Sequence, residues 1–230
     1  MSVFSVGKRL LNKFPFLTKI AALGYNLLAM NSFKGIKNNS ISRDFAFMKN
    51  CKIRINGTGN QIIIGQKSFL SNCNFVITGN NNKIVLDDMI YADKCSFCVE
   101  DSNNSIEIGE GTHIFGECEL AAMEGTQIKL GEGCLVSSKT VFRTGDSHSI
   151  LDLEGNRINP SKNIILGDRI WVGQRASILK GSVIRDDSVV SFGAIVTKAF
   201  DTPNAIIGGV PAKLLKDGIS WCSQRVKING

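Results

Sequence analysis

Four short segments recur at a spacing of 22 residues: Gln61-Ile62-Ile63-Ile64, Lys83-Ile84-Val85-Leu86, Ser105-Ile106-Glu107-Ile108 and Gln127-Ile128-Lys129-Leu130. A fixed period of this length marks a solenoid, in which each repeat buries its apolar face only by stacking on the next. A finer step of six runs inside the repeat. Apolar residues fall at Ile64, Leu70 and Val76, then Leu86, Ala92 and Cys98, then Ile108, Ile114 and Leu120, then Leu130, Val136 and Phe142. One step per repeat is ten, so a coil reads as three hexads plus a four-residue corner insertion. After residue 163 the insertion vanishes, and the step of six runs through Leu166, Val172, Ile178, Ile184, Val190 and Val196.

Small residues stand four after many of these positions, among them Thr112, Cys118, Thr140, Ala176, Ser188 and Ala194. Gly65, Gly109, Gly131 and Gly167 follow the aliphatic directly, where a tight corner tolerates little side chain. One aliphatic per side with a small neighbour at the turn fits a narrow three-sided solenoid. The pattern therefore predicts an all-β chain, a single-stranded parallel β-helix. An antiparallel sandwich would not hold a step of six over 18 positions. Periodicity does not give the hand of the coil.

The net charge of +7 is placed unevenly. Residues 1–50 carry eight basic side chains and one acid, Asp44, whereas the other 180 residues balance at 19 of each sign. A localised basic segment suits an acidic partner or a solvated helix face. Leu10, Phe14, Leu17, Ala21 and Leu28 follow helical spacing, and Pro15 is expected to divide the segment into two helices. Lys19 and Asn26 interrupt the apolar run, which falls short of a membrane span, and no clean export signal follows the early lysines. The stripe either caps the open end of the solenoid, the favoured use, or lies on a membrane surface. The expected organisation is a basic helical segment over 1–50, a β-helix over 51–213 with a loop insertion at about 149–163, and a C-terminal helix or tail over 214–230. The expected location is the cytoplasm, peripheral on the inner membrane face if the N-terminal segment binds lipid.

Seven cysteines at irregular spacing do not form a disulfide framework, and Cys95-x-x-Cys98 without a second pair is a weak metal signal. The six-step assigns Cys98 to the core.

The hexads and the stretch from Asp146 to Lys213 resemble the hexapeptide-repeat acyltransferases. The motifs are Asp146-Ser147-His148-Ser149-Ile150, Arg157-Ile158-Asn159-Pro160, Ile170-Trp171-Val172-Gly173 and Gly208-Gly209-Val210-Pro211-Ala212-Lys213. The resemblance covers roughly residues 51–216 and is strongest to capsule and lipopolysaccharide O-acetyltransferases, including the polysialic acid O-acetyltransferases. It implies a left-handed β-helix, a homotrimer, acetyl-CoA as co-substrate without a metal, and transfer to a hydroxyl of a bacterial surface polysaccharide or its precursor. N-acetylation of an amino sugar nucleotide and O-acetylation of serine are the alternatives within the family.

Acyl transfer from a thioester to a hydroxyl needs a base at the attacking oxygen and donors for the oxyanion. The chain has two histidines. His113 lies mid-coil without a motif and reads as a surface residue. His148 sits where the six-step stops, at the mouth of the polar insertion, and the resemblance carries the catalytic histidine onto it. Neutral imidazole accepts a hydroxyl proton when its other nitrogen donates to an orienting group, here Asp146 or a backbone carbonyl. Asp146 is alternatively an acceptor-binding residue or part of a turn.

Trp171 precedes the inward Val172 and should point outward; the resemblance implies a place near the thioester or acceptor, with a contact between copies as the alternative. Gly173, Gly193 and Ala194 are expected to let the backbone approach pantetheine and supply its amides with N–H and C=O groups. Arg175, Lys198 and Lys213 are expected to meet the phosphates, and the Pro211 loop resembles the family segment that wraps the nucleotide end. Arg143, Asp146, Arg157 and Asn159 are the expected acceptor-binding residues. No cysteine neighbours His148 in sequence, so direct transfer without a covalent acyl-enzyme is expected.

A zinc hydratase on this scaffold type needs three histidines per site, which two per chain make improbable. A purely structural solenoid would show regular outward rows of threonine and have no use for the insertion. A sugar nucleotidyltransferase needs a nucleotide-binding domain larger than residues 1–50. The neutral body and the lack of a binding motif argue against nucleic acid.

Overall fold

The computed structural model describes residues 15–43 and 45–227. They form a three-sided parallel β-helix, consistent with left-handed winding, preceded by one helix, α1 (Pro15–Leu28). Three sheets line the sides. Face A holds eight strands from Ser32–Lys34 to Ile195–Val196. Face B holds eight from Ser40–Arg43 to Ala199–Phe200. Face C holds nine, from Phe47–Lys49 to Ala212–Lys216. The chain runs A to B to C in each coil, so every strand up to Ile206–Gly209 pairs with the strand one coil away. Gln61 pairs with Lys83, Lys83 with Ser105 and Ser105 with Gln127, in parallel register. The 22-residue period is thus the length of one turn of the solenoid.

Alternation of side chains along short strands separates the axis from the surface. Ile62, Ile64, Leu70, Ile84, Leu86, Ile106, Ile128 and their counterparts are fully buried along one continuous core. Three interior corner columns tie the coils. Asn39, Asn60, Asn82 and Asn104 stack at the A-to-B corner. The Asn82 side-chain amide donates to Asn60 Oδ1 at 3.0 Å, and that of Asn104 donates to Asn82 Oδ1 at 3.1 Å. Cys51, Cys73, Cys95 and Cys118 line the C-to-A corner, and burial pushes the Cys134 thiol at the third corner up to about 11. The cysteines therefore act as small core residues.

On face A the early hexads slip by one. Phe75 and Phe97 point inward and stack at 4.8 Å, while Val76 and Cys98 point outward. The inward step from Leu70 to Phe75 is five, and the step of six into face A begins with Ile114 to Leu120. The extra residue is absorbed beside Gly116 and Glu117, both in the left-handed region, and Phe97 pairs with Leu120. Assigning Val76 and Cys98 to the core fails because Phe-Val-Ile and Phe-Cys-Val each offer apolar side chains on both faces.

The domain edges also differ from expectation. The first coil begins at Ser32, so residues 32–50 belong to the solenoid. Pro15 opens α1, where its missing N–H costs no helical bond. Leu10 and Phe14 lie outside the described residues, as does the Leu17 side chain. Ala21 and Leu28 are exposed; the face turned to the coil is Ala22, Tyr25, Asn26 and Ala29. Asn26 donates to Ala46 O and accepts from Met48 N, both at 2.8 Å, which satisfies backbone groups at the open end of the first coil. No C-terminal helix forms among the described residues. Residues 212–216 turn back as an antiparallel strand on Ile206–Gly209, because Gly209 in the left-handed region and Pro211 favour a hairpin at the edge of face C.

Candidate active site

The four-residue corner insertions all lie between faces A and B. In the coil after Val141–Arg143 the same corner expands into the loop from Gly145 to Asn163, and His148 stands on it. The loop is held from both neighbouring coils. In the coil before, Glu124 accepts from Arg157 Nη1 at 2.5 Å and Nη2 at 3.1 Å, and from the Ser161 hydroxyl at 2.7 Å. In the coil after, Lys180 Nζ donates to Asp146 Oδ2 at 2.5 Å and to Asn159 O at 3.2 Å. Asn159, almost fully buried, joins the two halves: its amide donates to Asp146 Oδ2 and to His148 O, both at 2.8 Å, and its Oδ1 accepts from Ile150 N at 2.8 Å.

These contacts fix the backbone of His148 while the imidazole stays exposed. Ser147, in the left-handed region, turns the chain just before it, and its hydroxyl accepts from Arg143 Nη2 at 3.2 Å. Arg143 projects from face A beside the loop; its buried Nε has no hydrogen-bond partner and lies 3.9 Å from Glu119. Arg143 thus places a guanidinium beside the loop, paired with Glu119 and Ser147.

The Asp146 carboxylate is spent on Lys180 and Asn159, which hold it below the usual carboxylate range, the lysine contributing most. Its action on His148 runs through Asn159 and the loop backbone. Arg157 and Asn159 are likewise committed to the loop. The sequence offers no sign of Glu124 or Lys180, which act 33 and 34 residues away from their partners through the stacking of coils.

Glu124 is held at about 2 by Arg157 and then Ser161. A carboxylate depressed in the folded state contributes stability above its ordinary range and loses it as pH falls through the folded value. The loop tie should therefore be intact above about pH 4.5 and fade toward about pH 2. Hydrogen exchange of loop amides, referenced to a distant coil, should show this step in the parent and lack it in Glu124→Gln.

The expected cofactor residues spread over two corners and the hairpin. Gly173, Arg175, Gly193 and Ala194 lie at the C-to-A corner of successive coils, Lys198 lies on the His148 corner two coils on, and Pro211 and Lys213 lie on the hairpin. The N–H groups of Gly173, Gly193 and Ala194 are already donated to Val190, Gln174 and Ser191 carbonyls at 2.8, 3.0 and 3.2 Å. Those three N–H groups are thus engaged within the coil stack. A Cβ on Gly173 would stand 2.6 Å from Phe192 N, so this glycine serves coil contact. Gly193 is in the left-handed region with open space around it. Ala194 is buried core, and Lys198 lies 5.5 Å from the Phe200 ring. Face A of the late coils thus lies between the His148 loop and the Arg175–Gly193 corner.

Trp171 is exposed on face C, 6.2 Å from Trp221, whose indole N–H donates to Arg169 O at 2.7 Å. Face C lies opposite the A-to-B corner of the prism. His113 is also on face C, exposed and tilted against Tyr91.

No family model matches the chain. Over 96 residues it is 34% identical to a polysialic acid O-acetyltransferase of Escherichia coli O1:K1, covering 41% of this chain and 31% of that protein. Over 107 residues it is 32% identical to a polysialic acid O-acetyltransferase of Neisseria meningitidis, covering 46% of this chain and 50% of the relative. The matches thus span at most half the length of these two curated relatives. A solved structure of a polysialic acid O-acetyltransferase superposes with a TM-score of 0.77 at 29% identity, covering 85% of this chain and 92% of the other.

Proposed function

We propose that the chain is a hexapeptide-repeat acyltransferase that transfers an acetyl group from acetyl-CoA to a hydroxyl of a bacterial surface polysaccharide or its precursor. The observation that carries this reading is the double clasp of the His148 loop. Two ion pairs from two coils fix the loop backbone that carries one exposed imidazole, a rigid mounting of the kind a general base requires.

In this mechanism His148 removes the proton of the acceptor hydroxyl as its oxygen attacks the thioester carbonyl. The C–O bond forms, the C–S bond breaks, and the proton passes to the departing thiolate. Acetyl-CoA supplies the activated acyl group. Asp146, Asn159 and Lys180 keep the backbone of His148 in place, and the Arg143 guanidinium beside the loop would meet an anionic group of the acceptor.

The expected homotrimer has a geometric reason. Trp171 and the hairpin belong to face C, and the His148 loop belongs to the corner opposite it, so one chain cannot bring them together. Side-by-side copies bring face C of one toward the loop of the next, and three such contacts close a ring with three equivalent sites.

The test is thiol release from acetyl-CoA with purified acceptors, followed by NMR of the product. Acidic bacterial polysaccharides, polysialic acid first, should release thiol and gain an acetyl ester. Release with only serine or an amino sugar nucleotide would assign the chain to another branch of acyl transfer, and no release with any hydroxyl acceptor would end the proposal.

A further inference from the structure

Helix α1 is built the wrong way round for a helix whose only task is to close a solenoid. The side turned to the first coil carries small or polar residues, Ala22, Asn26 and Ala29, together with Tyr25. The side turned to solvent carries the large aliphatics Ile20, Leu23, Leu27 and Leu28. Leu27 and Leu28 are 85% and 89% exposed, and Met30 just beyond the helix is 83% exposed. At 100° per residue Ile20, Leu23 and Leu27 share one stripe, opposite the residues that meet the coil. An aliphatic stripe of this kind, contiguous with Met30, is a contact surface.

The charge around it is one-sided. Residues 15–86 contain nine basic residues and a single acid, Asp44. Lys34 and Lys37 flank the exposed Ile36 at the A-to-B corner of the first coil, and Lys19 and Lys49 are exposed at the same end of the solenoid. Lys19 lies over the Phe45 ring at 4.5 Å. Aliphatic side chains ringed by cations match one partner chemistry well: an anionic lipid surface, which takes the aliphatics at the acyl boundary and the cations among the head groups. A soluble acidic glycan would satisfy the cations and leave the aliphatics in water. A second copy of this end would bury the aliphatics but oppose like charges. The helix has 14 residues, and no helix among the described residues is long and apolar enough to cross a membrane, so the contact is interfacial.

We infer that the N-terminal end of the solenoid, through the outer stripe of α1 and the lysines around it, docks onto anionic lipid bilayers. The inference does not depend on the chemistry proposed for His148.

The test is flotation of the full chain with phosphatidylcholine vesicles, with and without phosphatidylglycerol. The parent should float with the anionic vesicles only and be released by high salt. Leu23→Ser/Leu27→Ser should lose flotation while keeping the circular dichroism and melting of the parent, because both side chains are exposed. Lys34→Glu/Lys37→Glu should weaken binding by about tenfold or more. A parent that does not float, or a leucine variant that floats as well as the parent, would overturn the inference. So would a leucine variant that changes only the oligomeric mass, which would mean that a second copy covers the stripe. A parent that binds soluble acidic glycan but no vesicle would overturn it as well.

Discussion

Replacing His148 with alanine should lower kcat by at least about 100-fold and leave CoA affinity little changed. General-base assistance contributes roughly 10²–10⁴ in rate, and His148 is the histidine that the clasped loop presents to solvent. The backbone at residue 148 is held by the Asn159 amide and not by its own side chain, so the substitution leaves the loop tied. Steady-state kinetics with CoA binding measured separately would separate the two effects. Near-normal turnover would remove His148 from the chemistry. Lys180→Met gives the complementary case. It releases Asp146 and one tie to Asn159, so kcat should fall while the imidazole itself is retained.

The second large effect is on the core. Phe97→Ala should cost about 3–5 kcal/mol of stability, read as a lower denaturant midpoint with an unchanged slope. Phe97 is fully buried and stacks on Phe75 one coil away, and a narrow prism has little freedom to collapse around the void. Val76→Ala, on the outer side of the same face, should cost well under half as much. The pair is a direct test of side-chain register. If Val76 pointed along the axis and Phe75 and Phe97 away from it, the order of the two effects would reverse.

That register shows where the sequence was legible. The 22-residue recurrence at Gln61, Lys83, Ser105 and Gln127 is the strand pairing itself, so the architecture could be read from spacing alone. Face B and the late coils kept the expected inward residues, because the step into them carries none of the one-residue shift seen on the early strands of face A. The early strands of face A place apolar residues on both sides, and period alone does not choose between Phe75 and Val76. For the candidate site, the sequence locates the insertion and its histidine, since both interrupt a regular pattern. It does not locate Glu124 or Lys180. They neighbour the loop only because coils stack, and a one-coil offset leaves no motif. Arg157 and Asn159 were visible as residues, but their role in holding the loop depends on those hidden partners. The stripe of α1 is a similar case. Helical spacing was clear, yet which side meets the coil was decided by Asn26 finding the backbone of residues 46 and 48.

The loop from Gly145 to Asn163 also works as a strap. By gripping Glu124 on one side and Lys180 on the other, it staples three successive turns of a column that is otherwise held rung by rung. A quasi-one-dimensional stack melts inward from its ends. Unravelling from the C-terminal hairpin must peel away the last turns before it strains the Lys180 link, and unravelling from α1 must consume the early turns before it reaches Glu124. Heat should therefore strip either tip of the column while its middle remains wound.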